Sequence, residues 1–258
     1  MTVDMQKAGL WKRIAAAILD LILLAILAVG CAWGLTVMLD YDGHAETAAT
    51  IKAEYEERFH IPPNVTTSVY QQMDEAEKKA YDEAVAEANK ALAEDAEAVR
   101  ILNLLQSLQL IITTFGILIA VLLLEFIVPL ILKNGATVGK KVFGLGLVRT
   151  DCVRVNNLQL FTRTLIGKFT IEIMIPAYLV IMILDGSLGS MGVLVIGAIL
   201  LLQVILYFAT KQNQLLHDIM AGTAVVDVTS QRIFASDEDR VEFLKRMAAE
   251  QAEQQEYF

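Results

Sequence analysis

Four stretches of the chain are almost free of charged residues, and this pattern predicts the fold. A helix needs about 20 apolar residues to cross about 30 Å of hydrocarbon, because each residue adds about 1.5 Å. The third stretch contains Lys168, Glu172 and Pro176, but the rest of it is apolar. We predict an all-α integral membrane protein whose four transmembrane helices occupy residues 14–38, 108–132, 164–184 and 191–210.

The polar remainder of the chain connects or flanks these four helices. Asp185, Gly186 and Ser187 indicate a turn, so the last two helices are expected to form a tight hairpin. The predicted segments are an N-terminus at 1–13, an acidic insert at 39–107, a basic loop at 133–163, a turn at 185–190, and a closing segment with a charged tail at 211–258.

Basic residues mark one side of the predicted bundle. Lys7, Lys12 and Arg13 precede the first helix, and six Lys or Arg residues lie in the loop at 133–163. Short loops that carry an excess of Lys and Arg remain in the cytoplasm. We therefore expect a multi-pass protein of the cell membrane with cytoplasmic N- and C-termini and an extracytoplasmic insert.

Composition agrees with a bilayer protein, since 55% of the residues are hydrophobic. The formal net charge is −9, which would suit an acidic soluble protein if it were spread evenly. It is instead confined to residues 38–100, which hold fifteen Asp or Glu and six Lys or Arg. The charge therefore characterises the insert and not the membrane part.

The acidic insert is predicted to be a helical hairpin. A Glu- and Ala-rich helix is expected from Ala45 to Phe59, and Ser68 with Gln71 has the spacing of a capping box for a second arm that runs on into the second span. Asn64 begins a glycosylation sequon, a short pattern that often arises by chance. Two interpretations stay open: a solvated cover over the outer ends of the spans, or a surface at 39–107 that binds a partner protein.

Three carboxylates interrupt the apolar stretches, and each needs a reason because a charge at the bilayer centre costs about 2.5–3.5 kcal/mol. They are Asp20, Glu125 and Glu172. A proline follows each glutamate by four residues and removes a helical N–H, so the glutamate's backbone carbonyl is left free beside its carboxylate. Hard cations favour such oxygens. By helical rise all three acids lie about 6 to 12 Å below the cytoplasmic surface, and we predict that they converge on one ion or proton site.

A structural explanation competes with this site. Each acid could pair with a nearby cation, such as Arg13, Arg163 or Lys168, and so fix the packing of the helices without any transport. The sequence favours neither interpretation.

Catalysis is not expected from this sequence. The histidines His44, His60 and His217 are scattered, and the spacings of known hydrolase, metalloprotease and redox motifs do not occur. We expect no catalytic residues, no metal or other cofactor, and no nucleic-acid partner. Cys31 and Cys152 are expected to stay reduced.

Three motifs resemble the RDD family of bacterial membrane proteins, named for an arginine and two aspartates. The first is an arginine followed seven residues later by an aspartate, the second a glycine–lysine loop from Gly135 to Lys140, and the third the closing segment from Leu216 to Val226. The matching residues are Arg13, Asp20, Gly135, Thr137, Gly139, Lys140, His217, Asp218, Gly222 and Thr223.

The resemblance implies an architecture more firmly than an activity, for which cation or proton exchange is the usual suggestion. Four spans are few for a transporter, so we expect a homodimer to enclose any pathway. The alternative is a membrane anchor or assembly module without transport. From the residues themselves, Leu145 to Arg149 and Thr223 to Val228 are expected to pair as a short two-stranded β element at the cytoplasmic surface, and Asp218 to cap or anchor the turn after the fourth span.

Overall fold

The computed structural model describes residues 5–63, 65–132, 135–184 and 186–256. Lys133, Asn134, Asp185 and the sequon residue Asn64 lie outside the described residues. In chain order the elements are α1 (Leu10–Met38), α2 (Tyr41–Arg58), α3 (Thr67–Gln72), α4 (Glu75–Glu94), α5 (Ala96–Leu132), α6 (Val138–Val142), β1 (Leu145–Arg149), α7 (Asn157–Leu184), α8 (Gly189–Ala209), α9 (Leu216–Ala221), β2 (Thr223–Asp227) and α10 (Asp237–Glu256).

Four of these helices, α1, α5, α7 and α8, are long and apolar enough to cross a membrane. Few of their side chains are buried within the protein, as expected for helices whose apolar surface faces lipid. Together with the small antiparallel sheet they confirm the predicted fold class. The helices also continue past the predicted spans, since α1 begins at Leu10, α5 at Ala96 and α7 at Asn157.

Residues Gly30–Gly116 form one compact unit, which contains α2, α3 and α4. Helices α2 and α4 make contact, and the Tyr55 hydroxyl donates to an Asp95 carboxylate oxygen at 3.0 Å. The predicted capping box at Ser68 is wrong: Thr66 caps α3, and the capping box is formed by Asp74 and Glu77 at the start of α4. The second arm is also not continuous with the second span, because the helix breaks at Asp95.

The rest of the described chain forms a second compact unit, called here the large unit. Two of the helices that contribute to it each contain a π-helical segment, Leu122–Ile127 in α5 and Thr162–Met174 in α7. At the end of each segment a backbone N–H bonds five residues back, Val128 to Leu123 and Ile175 to Thr170. Both segments end next to a proline, which cannot supply the usual helical N–H.

The two short strands pair antiparallel, with Leu145 opposite Asp227 and Arg149 opposite Thr223. This confirms the expected β element, although β2 ends at Asp227 and not at Val228. The strands are buried on both faces. The buried apolar cluster around them joins the strands to the N-terminal segment and α7 through Ala8, Ala16, Leu145, Leu147, Leu160 and Val225.

The N-terminal segment lies against β2, where the Ala8 N–H donates to the carbonyl of Val225 at 3.4 Å. The chain after β2 pairs with the segment that follows β1, where Phe234 lies beside Val153, and then forms α10, whose Phe243 packs on Phe234. Arg149 fastens the start of α10 by donating from two nitrogens to Asp237 at 3.1 and 2.9 Å. The part of the charged tail that the structure describes is thus a helix.

Candidate functional site

A cavity of about 630 Å³ lies inside the large unit, at the ends of the four long helices nearest the sheet. All three predicted carboxylates line it. Its apolar wall includes Ile14, Leu24, Ile173 and Val204. The charged or titratable side chains that line the cavity are Arg13, Asp20, Glu125, Lys140, Arg163, Lys168, Glu172, Tyr207, His217 and Asp218.

Asp20 joins α1 to the glycine–lysine loop. One carboxylate oxygen accepts from the Thr137 hydroxyl at 2.5 Å and the other from the Gly139 N–H at 2.7 Å. Gly139 lies so close to α1 that a methyl group there would collide with the Ala16 carbonyl, which explains why a glycine occupies this position. Asp20 and Arg13, both in the described chain, form no ion pair with each other.

Glu125 is buried where the π-helical segments of α5 and α7 meet. One of its carboxylate oxygens, Oε1, lies 2.6 Å from the ammonium of Lys168. The other, Oε2, is buried without a hydrogen-bond partner among the described groups. The backbone carbonyl of Glu125, predicted to be freed by Pro129, accepts from the Thr164 hydroxyl at 2.9 Å. The carbonyl is thus used to hold α7 against α5.

Glu172 is held between α8 and α9. Its carboxylate accepts from the Gln203 amide at 2.6 Å and lies 2.7 Å from Nδ1 of His217. The other ring nitrogen, Nε2, lies 2.9 Å from Nη2 of Arg163. Arginine can only donate, so Nε2 is the acceptor, Nδ1 carries the proton, and His217 is neutral. Burial lowers the pKa of His217 and Arg163 adds to this, against the opposing pull of Asp218 and Glu172.

Asp218 is fully buried between two arginines. Its Oδ1 accepts from Nε of Arg163 at 3.0 Å, and its Oδ2 lies 3.7 Å from Arg13, which also bonds the Asn213 carbonyl at 2.6 Å. Burial alone would raise the pKa of Asp218, but Arg163, His217 and Arg13 hold it well below its usual range. Asp218 therefore does more than cap α9: it connects α1, α7 and the segment before α9.

Lys140 occupies a different position from the other cavity cations. Lys140 is buried, and among the described groups its ammonium has one hydrogen bond, a long one of 3.4 Å to the Thr137 hydroxyl. Burial, with a smaller contribution from Arg163 and Lys168, lowers the pKa of Lys140 from the ordinary 10.5 to about 7, although Glu125 and Asp20 oppose the change.

Sequence reasoning missed Gln203 and Thr164, which hold Glu172 and the Glu125 carbonyl. Gln203 could have been recognised from the sequence, because it is the only side-chain amide between Met191 and Thr210. Thr164 could not have been recognised, since a threonine near the end of a span is common and its partner, the Glu125 carbonyl, lies 39 residues away in the sequence. Arg163 and Lys168 were named only as cations that neutralise an acid, yet both line the cavity.

Four long apolar helices that imply a lipid bilayer, gathered around one cavity lined with charged groups, define a multi-pass membrane protein. The model of the RDD family matches residues 7–222. The chain belongs to the RDD family. No curated protein and no solved structure matches the chain.

Proposed function

We propose that the protein exchanges a small monovalent cation for protons across the membrane, with Asp20, Glu125 and Glu172 as the acidic groups of the pathway. One observation carries the proposal: three carboxylates from three different membrane helices line the same cavity. Burying a charge in a bilayer is costly, and such groups usually mark ion or proton routes.

The arrangement of the acids favours an exchange cavity over a tight metal site. No group of three or more His, Cys, Asp or Glu within the described chain is placed to hold a metal ion. The cavity instead distributes its charges in pairs, and Glu125 Oε2 is left as an unused buried acceptor. We propose transport by charge compensation in this cavity, by a homodimer and without an enzymatic step.

The orientation of the protein is part of the proposal. Cytoplasmic termini would place the cavity at the inner ends of the spans, next to the basic loop at 135–163. Protease treatment of sealed, intact cells tests this with a tag at the C-terminus. The tag should be cut only after the cells are opened, and cutting in sealed cells would reverse the orientation.

Flux measurements on the full chain in liposomes test the exchange. With a proton gradient imposed, the parent protein should move sodium or potassium and release protons at the same time. Asp20→Asn, Glu125→Gln and Glu172→Gln should each reduce the rate at least tenfold while thermal unfolding stays cooperative. Glu242→Gln, which changes an exposed acid of α10, is the matched control and should leave the rate unchanged. A parent protein without flux would reject exchange.

A second function is favoured by the hydrogen bonds that Asp20 and Glu172 already make within the protein. Both oxygens of Asp20 are bonded within the protein, and Glu172 has two side-chain partners. Such groups can simply fix helix packing. In that case the protein is a membrane anchor or assembly module, and residues 39–107 bind a partner. Loss of a co-purifying protein when residues 41–95 are deleted, in a chain without flux, would support this function.

A further inference from the structure

We infer that Lys140 is the group that releases and takes up the exchanged proton, and that one monovalent cation enters for each proton released. This inference rests on the proposed exchange function and specifies its coupling group and its stoichiometry. It adds a residue that the three acids alone do not suggest, because Lys140 is itself a cation.

The bonding of the cavity cations distinguishes Lys140 from the rest. Arg13 and Arg163 both bond Asp218, and Lys168 bonds Glu125. Within the part of the chain that the structure describes, no carboxylate oxygen lies within 4.0 Å of the Lys140 ammonium. Arginine keeps its proton in proteins, and the Lys168 ammonium lies 2.6 Å from a Glu125 carboxylate oxygen. Lys140 is therefore the cavity cation that loses a proton most easily.

The groups that face Lys140 act on its proton in opposite directions. Arg163 and Lys168 on α7 repel the charged ammonium, while Glu125 on α5 and Asp20 on α1 attract it. Thr137 lies between Asp20 and Lys140: its hydroxyl donates to the Asp20 carboxylate and accepts from the Lys140 ammonium. Burial adds to the repulsion and places the pKa of Lys140 at about 7, where a proton is exchanged under physiological conditions.

The charge balance of the cavity gives the stoichiometry. Among the described residues, four cationic and four anionic side chains line it and His217 is neutral, so their formal charges cancel while Lys140 is protonated. When the Lys140 ammonium gives up its proton to the solution, the amine remains and the lining carries one net negative charge. One monovalent cation restores neutrality, whereas a divalent cation would leave one positive charge. Exchange is therefore one for one and moves no net charge.

The protonation state of Lys140 can be measured without any transport assay. The full chain is labelled with ¹⁵N at the lysine side chains, incorporated in nanodiscs and titrated by NMR. One Nζ signal should titrate near 7 instead of near 10.5, and it should disappear in Lys140→Arg. Lys141→Arg, a change at the exposed neighbour, is the matched control and should leave that signal in place. If every lysine titrates above 10, the inference fails.

Flux through two variants tests the coupling. Lys140→Gln gives the position the neutral charge of the deprotonated amine. This variant should keep sodium-for-sodium exchange, and its proton-coupled rate should fall at least tenfold. Lys140→Arg fixes the protonated charge and should lose both, while Lys141→Gln should behave as the parent. An imposed membrane potential should not change the parent's rate, and a clear response to it would overturn one-for-one exchange.

The failures of the two proposals can be told apart. If the parent exchanges cations for protons and both Lys140 variants keep its rate and pH profile, Lys140 is not the coupling group and the exchange function stands. If the parent shows no flux at any pH, the exchange function is wrong and the coupling role falls with it.

Discussion

At the residue scale, the three residues that name the family have unequal roles. Arg13 and Asp218 belong to one buried cluster, in which two arginines share a single aspartate. Asp20 belongs to another and accepts from two neutral donors of the loop, the Thr137 hydroxyl and the Gly139 N–H. Arg13 and Asp20 therefore bond different groups, although they lie seven residues apart on one helix. Arg13 and Asp20 each bond a residue that follows them by more than a hundred positions in the sequence.

Replacing Asp218 by asparagine should strongly destabilise the protein. It removes the shared partner of two buried arginines, and breaking a buried ion pair from one side costs about 3–5 kcal/mol. Thermal unfolding in detergent should show a clearly lower midpoint for Asp218→Asn. Asp227→Asn is the control, because its partner Lys12 is half-exposed and such pairs are worth about 0–1 kcal/mol. Equal midpoints for the two variants would show that the buried cluster is not a source of stability.

At the element scale, the prolines of α5 and α7 have a structural consequence that goes beyond a kink. Pro129 frees the Glu125 carbonyl, and the Thr164 hydroxyl of the neighbouring helix bonds it. A carbonyl that loses its hydrogen bond within α5 thus forms a contact with α7. The same region of each helix is π-helical, which places Glu125 and Lys168 within ion-pair distance.

A double-mutant cycle tests this contact. Thr164→Val leaves the Glu125 carbonyl buried and unbonded, which should cost about 1–3 kcal/mol. Pro129→Ala supplies an N–H that can bond the same carbonyl within the helix, so in that background Thr164→Val should cost clearly less. The free energy of unfolding is measured for all four proteins. Additive effects would mean that the hydroxyl and the proline act independently.

Several elements could be predicted from sequence because each depends on local composition. The four long helices follow from stretches with almost no charge, and the strands from short runs that alternate or are β-branched. The break at Asp95 was missed because the helical pattern continues across it. The partners of Glu172 and Lys140 could not be predicted either, since they are set by which side chains meet when separate helices pack.

At the scale of the whole molecule, the cavity is built entirely by the large unit. Its lining comes from residues between Leu10 and Leu24 and between Glu125 and Val225. The acidic unit at Gly30–Gly116 contributes none of these lining side chains. The candidate chemistry therefore depends on side chains of the large unit.

Removing the acidic helices should leave the cavity intact. A flexible Gly/Ser linker in place of residues 41–95 should keep the titration of Lys140 and the exchange rate within about twofold of the parent. As a control, the same kind of linker in place of residues 138–142 should abolish both, because it removes Lys140 and the N–H that bonds Asp20. A deletion at 41–95 that shifts the titration would show that the insert influences the cavity.

The contacts of the first helix have a consequence for biosynthesis. Arg13 finds its acceptors only when Asn213 and Asp218 have left the ribosome, 200 or more residues after Arg13 itself. Until then the Arg13 side chain lacks the two partners that it has in the folded protein. A nascent chain released before the last thirty residues of the family region would hold an uncompensated arginine near its start. Such a product is the kind that cellular quality control removes, so a stable first helix requires synthesis at least as far as Asp218.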